Sequence, residues 1–357
     1  TGVDANQAGA GLVASNPGRS RAMRSAVAVL TAVVLLAGCG TSPGRAPTPT
    51  AAQAPTKLRV AFSANTIDQV PAWVALDGGY LQKNGLDVDL QYVGGGTQTL
   101  ATLVSGESQV SIQGGNEAMS AVAGGADLVV IANLLPVYAF KLEAVPGIDS
   151  MADLKGKKLA VSTIGGTADV ALRTLLRKHG IDPDNDVTIV ATGNPTTTQG
   201  ALNSGAVQAA LSVPPNLLVA EAAGAHPIAD LASEKIPSAQ NSVTVQRAWL
   251  NQNRPVAQKL VDSLAQGLAR IKADRAFTQE VIKKYVKYDD QNGLDWTYDF
   301  FVNEVWPTYP HVAPDQLSDA VAELGRSNAK LKTFDPSSIL DDSLVQDAEK
   351  RDVAKQT

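Results

Sequence analysis

The chain has little of what most chemistry and most covalent stapling require. Cys39 is the one cysteine among 357 residues, so no internal disulfide framework is available and the fold must be held by its core. The three histidines, His179, His226 and His311, lie far apart, without metal-ligand spacing and without a local Ser-His-Asp grouping. Positive charge is also in short supply. Thirty Lys and Arg stand against 35 Asp and Glu, for a formal net charge of −5, and no basic block or face emerges, which argues against nucleic acid as a partner. Gly94-Gly95-Gly96-Thr97 lacks the lysine of a phosphate-binding loop, and no G-x-G-x-x-G opens a helix after a strand. The apolar run Ala26 to Leu36 falls short of the about 20 residues a transmembrane helix needs. No metal, no cofactor and no catalytic group is therefore expected.

What is present begins with an export pattern. Residues 1–22 are rich in Gly, Ala and Asn and read as upstream sequence, after which Met23-Arg24 precedes the apolar run and Leu36-Ala37-Gly38-Cys39 follows it. A short basic stretch, a short apolar region and small residues before a cut describe a secretory signal over 1–38. Residues 39–57, rich in Pro, Thr, Ala and Gly, cannot bury a core and read as a flexible tether.

From Leu58 the pattern alternates. Strands are expected at Leu58–Phe62, Asp87–Val93, Gln109–Gln113 and Asp127–Leu134, with helices between them, the last strand being apolar enough for cover on both faces. A second alternating set runs through Lys158–Ser162, Val187–Val190, Val207–Val213 and His226–Leu231. One more strand, Ser242–Gln246, then leads into a largely helical region. Strand-helix-strand crossovers imply mostly parallel sheets. The predicted fold is thus α/β, with two Rossmann-like domains of mainly parallel sheet joined by a two-crossing hinge and followed by a helical C-terminal tail. Domain 1 is discontinuous, 58–138 and 238–345, domain 2 is inserted as 139–237, and 346–357 is expected to be disordered.

Two stretches organise this reading. Val93-Gly94-Gly95-Gly96-Thr97 and Ser162-Thr163-Ile164-Gly165-Gly166-Thr167 each read as a strand end, a glycine turn, a threonine at an N-cap, and a helix. Such corners can present backbone N–H groups to a guest, and one falls in each domain.

Several segments carry a family resemblance. Pro71-Ala72-Trp73-Val74-Ala75 with Gly79-Tyr80-Leu81-Gln82-Lys83-Asn84-Gly85-Leu86-Asp87-Val88, Leu103-Val104-Ser105-Gly106-Glu107, Asp153-Leu154-Lys155-Gly156-Lys157-Lys158-Leu159-Ala160-Val161 and Leu202-Asn203-Ser204-Gly205-Ala206-Val207 resemble, in order, the sulfonate/taurine/nitrate family of ABC-importer binding proteins, with its thiamine-precursor-binding relatives. That family has the type II periplasmic-binding-protein fold. Leu36-Ala37-Gly38-Cys39 is similar to the bacterial lipobox, which implies lipidation of Cys39.

The resemblance implies an extracytoplasmic, membrane-anchored, monomeric receptor. It would close on a small solute of sulfonate, taurine, nitrate or pyrimidine type and deliver it to a permease with its cytoplasmic ATPase. The alternatives are an enzyme on the same fold, of menaquinone-pathway or pyrimidine-synthesis type, and a surface receptor not coupled to transport. The expected ligand-binding residues are Asn65, Gly95, Gly96, Thr97, Gln113 and Asn116 from domain 1. Domain 2 is expected to supply Thr163, Gly165, Gly166, Thr167, Asn194 and Ser212, with Tyr138 at the crossing as lid or wall. Asp68 and Glu117 fall near the same loops and would repel an anion. Glu117 also suits the first turn of its own helix. Trp73 reads as a core aromatic, with a place at the mouth of the cleft as the other reading.

Overall fold

The structure is a computed structural model that describes residues 54–356. The signal segment 1–38, Cys39 and most of the tether lie outside the described residues. Thr56–Phe62 forms β1, so Thr56 and Lys57, expected in the tether, instead pair with Leu86 and Asp87 in a sheet. Next come α1 (Val70–Asp77), α2 (Tyr80–Lys83) and β2 (Leu86–Tyr92). They are followed by α3 (Gly96–Val104), β3 (Val110–Gln113), α4 (Gly115–Ala123) and β4 (Leu128–Val137). The first eight residues of β4 are buried, as a strand covered on both faces requires.

The second set opens with β5 (Lys141–Ala144), a strand the sequence pattern does not disclose. It continues through β6 (Lys158–Val161), α5 (Thr167–Lys178) and β7 (Thr188–Ala191). Then come α6 (Pro195–Asn203), β8 (Ala209–Ser212), α7 (Asn216–Ala222) and β9 (His226–Asp230). The chain returns in β10 (Pro237–Gln246), which starts five residues before the expected strand because its entrance pairs with the end of β4.

Two five-stranded sheets result, ordered β2-β1-β3-β10-β4 and β7-β6-β8-β5-β9. In the first, β10 runs antiparallel to β3 and β4 while β1 pairs in parallel with β2 and β3. In the second, β5 runs antiparallel to β8 and β9 while β6 pairs in parallel with β7 and β8. Both sheets are mixed, and in each the reversed strand is the first one after the chain crosses between lobes. Reversal follows from entering a sheet directly from a crossing, without a helix to turn the chain back.

The helical remainder covers the first sheet and reaches the second lobe. It comprises α8 (Arg247–Ala273), α9 (Arg275–Val286), α10 (Gln291–Phe300), α11 (Ser318–Leu324), α12 (Ala329–Lys332) and α13 (Ser343–Lys350). Gly267 on α8 lets that helix approach α1: a Cβ there would stand 2.9 Å from the Pro71 carbonyl oxygen. Trp73 is 1% exposed, stacked on Tyr285 with centroids 4.8 Å apart, and serves the core. The segment 346–357, expected to be disordered, carries the end of α13 and a short helical turn at Val353–Lys355. Ala348 and Val353 are buried there, so an apolar stripe spaced for a helix anchors it. Among the described residues no helix is long and apolar enough to cross a membrane.

Candidate functional site

Ligands of open α/β sheets sit beyond the carboxyl ends of the strands, and here those ends face each other. The loops after β1, β3 and β6 and the end of β8 all line one cleft, together with Gly95 and Gly96 beyond β2. The cleft holds about 710 Å³ of atom-free space, its open mouth included. Lobe 1 contributes Ser63, Ala64, Thr66, Asp68, Gly95, Gly96, Gly114, Glu117, Gln240 and Asn241. Lobe 2 contributes Ser162, Thr167, Ala168, Pro195, Thr198, Leu211, Ser212, Val213 and Asn216, with Phe140 at the crossing.

The glycine corners work differently from the pattern inferred in sequence. Gly95 (φ 81°) and Gly166, not Thr97 and Thr167, occupy the N-cap positions of α3 and α5, and neither threonine caps its helix with its side chain. Each helix therefore starts one or two residues earlier than a threonine cap would place it. The Thr167 hydroxyl is used across the cleft: it lies 2.7 Å from Asn116 Oδ1 and 3.3 Å from Glu117 Oε2 and donates to these acceptors. Asn116 Nδ2 donates to the Gly165 carbonyl at 2.9 Å. Gly95 allows a close approach, since a Cβ on it would stand 2.9 Å from the Gly193 carbonyl oxygen. The lobes thus touch through small residues and hydroxyls, each hydrogen bond worth about 1 kcal/mol net. Farther out, Arg177 Nε donates to Glu323 Oε2 at 2.9 Å and joins α5 to α11.

Two carboxylates stand on the lobe 1 wall, and among the described residues no Lys, Arg or His lines the cleft. Burial pushes Asp68 up to about 7, opposed by a hydrogen bond from Gln240. Burial also pushes Glu117 up to about 7, opposed by backbone N–H groups and the Thr167 hydroxyl. Glu117 is the third residue of α4, so it serves the first turn of its helix and faces the cleft at once. Asp68 is held in place through its backbone: Asn241 Nδ2 donates to the Asp68 carbonyl at 2.7 Å. The amide of Gln240 accepts from Ala139 N at 2.7 Å, which ties the carboxylate wall to the first crossing.

Of the residues expected from sequence, Gly95, Gly96, Thr167 and Ser212 line the cleft. Asn116, Gly165 and Gly166 lie at the contact between lobes. Thr163 is half-buried, with its hydroxyl unpartnered. Asn65 and Thr97 are exposed and outside the lining. Gln113 is buried and donates to Thr244 Oγ1 at 3.1 Å. Asn194 is the N-cap of α6, its side chain accepting from Thr197 N. Tyr138 is buried at the crossing, where burial foremost raises its phenol above the usual value. Thr66, Thr198, Asn216, Gln240 and Asn241 also line the cleft, beyond the residues expected from the sequence. The Pro-Thr-Thr-Thr run after Asn194 and the Gln-Asn pair beside the second crossing were the available signals.

The strand order, the paired crossings and the cleft between carboxyl ends define the type II periplasmic-binding-protein fold. A family profile described as NMT1/THI5 like matches residues 66–275, and the chain belongs to that family. YtlA of Bacillus subtilis, which carries the name of a binding protein, is 26% identical over 214 residues, covering 58% of this chain and 64% of that protein. The chain thus spans somewhat under two thirds of that relative's length. Among solved structures, the periplasmic aliphatic sulphonate binding protein SsuA of Escherichia coli matches with a TM-score of 0.65 at 20% identity, over 80% of this chain and 97% of that one. The periplasmic nitrate-binding protein NrtA of Synechocystis PCC 6803 matches with a TM-score of 0.69 at 13% identity, over 84% and 90%. At these identities the two structures establish the fold.

Proposed function

We propose that the chain is the extracytoplasmic solute-binding component of an ABC importer, closing by a hinge motion on a small solute and delivering it to a permease. The observation that carries this reading is the cleft itself. Its polar groups come from both lobes, and the lobes meet across it through the two crossings and through contacts such as Thr167 to Asn116 and Arg177 to Glu323. A pocket with a few convergent polar groups in apolar walls suits a small molecule. The relatives named as sulphonate-binding and nitrate-binding proteins support the same role, and the sequence resemblance adds taurine- and pyrimidine-like compounds to the solutes to be tried. Anchoring by lipid on Cys39 completes the proposal, and Cys39→Ser is expected to release the protein from the membrane fraction.

The test is X-ray scattering of the full chain together with thermal melting against sulfonates, nitrate, pyrimidines and amino acids. The reading expects at least one solute to raise the melting temperature and shrink the radius of gyration. If no small solute does either, it fails.

One observation favours a second reading, an enzyme on the same fold. Two cleft carboxylates that titrate near neutrality are suited to acid-base work. Chemical change of a bound compound on incubation, followed by mass spectrometry, would establish it.

A further inference from the structure

We propose that the cleft admits a small organic cation carrying N–H donors, an ammonium, amidinium or guanidinium, and turns away sulfonate- and nitrate-like anions. This rests on the solute-binding reading and specifies its ligand. The fold offers an anion one means of binding without a cationic side chain, namely the helix N-termini that point at the cleft. In this chain those termini are already answered.

At α5, the backbone N–H of Thr167, the first helical residue, is turned to Glu117, and Asp169 in the same first turn accepts through Oδ2 from Gly165 N, just ahead of the cap, at 2.8 Å. At α6, the Asn194 side chain accepts from Thr197 N at 3.0 Å, and the first helical residue is Pro195, which has no N–H to offer. At α4, Glu117 is itself in the first turn. The same carboxylate also covers the start of α3, for a Cβ on Gly96 would collide with Glu117 Oε1. An incoming anion would meet carboxylates where the fold would otherwise present free N–H groups.

A cation finds the opposite. Glu117 is 8% exposed and no guanidinium, ammonium or imidazole faces it from the lining. Asp68 has no cation beside it in the lining: its side-chain donors are neutral, Gln240 Nε2 at 3.5 Å, the long limit of a hydrogen bond, and the Thr66 hydroxyl. A carboxylate buried without a cation is costly, and a ligand that brings the missing charge recovers that cost. A separate observation points the same way. The Thr66 hydroxyl, on the same wall and 3% exposed, turns its hydrogen toward Asp68 and has no donor to its oxygen among the described residues. As an acceptor it suits an N–H donor.

Titration calorimetry of the full chain tests this at pH 8.5, where both carboxylates are ionised, with agmatine, benzamidine, ethanesulfonate and nitrate as probes. The expected result is binding of at least one of the two cations and of neither anion. Glu117→Gln and Asp68→Asn, which keep side-chain shape, are each expected to weaken cation binding about tenfold or more, with melting temperatures unchanged or raised.

Three results overturn the proposal: binding of an anion in preference to both cations, binding of neither cation, or cation binding indifferent to both substitutions. If an anion binds and scattering shows closure, the ligand class is wrong while the solute-binding reading stands. If no probe binds and no solute of the wider panel closes the lobes, the solute-binding reading fails as well.

Discussion

Glu117 on α4 and Asp169 on α5 hold the same position, the third residue of a helix whose N-terminus points at the cleft, yet they meet opposite fates. Asp169, 1% exposed, accepts from Gly165 N and pairs with Arg173 Nε at 2.8 Å, four residues along its helix. Four residues beyond Glu117 stands Ala121, and Glu117 has no cation. The two lobes share one plan, with corresponding strand orders and a reversed strand after each crossing. Their difference is that lobe 2 neutralises its first-turn carboxylate internally, whereas lobe 1 leaves Asp68 and Glu117 for the cleft. Whether a first-turn acid serves the helix alone or also a guest is decided by the residue one turn later.

The largest effect is expected from breaking the lobe 2 side of this comparison. Arg173→Ala leaves Asp169 buried without its guanidinium and should lower stability by about 3 kcal/mol, measured by urea unfolding. A loss well under 1 kcal/mol would mean that the Gly165 N–H and the helix N-terminus suffice on their own. On the lobe 1 side, Gly96→Val drives a side chain into Glu117. It should cost about 2 kcal/mol or more of solute binding while circular dichroism stays unchanged.

Lobe 2 does hold a fully buried carboxylate without a partner, but outside the cleft lining. Glu143 on β5 is 0% exposed with neither oxygen hydrogen-bonded among the described residues. Burial pushes it up to about 7, with repulsion from Glu221 adding to the shift. The folded state therefore holds this proton more tightly than the unfolded chain. Its contribution to stability is full below the usual carboxylate value and is lost as pH rises through about 7. Glu143→Leu should raise stability at pH 8 by on the order of 2 kcal/mol and change it little at pH 4. Equal shifts in melting temperature at both pH values would contradict the buried-charge account.

The smallest effect concerns the contact between lobes. Thr167→Val removes the hydroxyl shared by Asn116 and Glu117. It should weaken solute binding by about 1 kcal/mol, read by calorimetry, and leave urea unfolding of the chain unaltered.

Much of the architecture is legible in the sequence because strand and helix periods alternate plainly, and both glycine corners fall at strand ends. What escapes depends on direction and local context. Lys141-Leu142-Glu143-Ala144 forms a strand although it is short and carries a charge in the interior, since two neighbouring strands supply its pairing. Thr97 and Thr167 look like caps, but a glycine takes the cap of each helix: Gly95 at φ 81° and Gly166 in extended backbone directly after the turn at Gly165. Asp68 and Glu117 are visible as acids near the loops. That both face inward follows from the rotation of α4 and from Asn241 holding the Asp68 backbone, which no local pattern records. The segment at 346–357 reads as polar, and its buried Ala348 and Val353 acquire meaning only against the helical layer they pack on.

The most direct measurement is a crystal structure of the full chain carrying the solute it retains from a cell extract. The account predicts that the solute lies in the cleft, within hydrogen-bonding distance of Asp68 or Glu117 on one side and of Ser162, Thr198 or Ser212 on the other. A solute that touches one lobe only, or that binds outside the cleft, would contradict it.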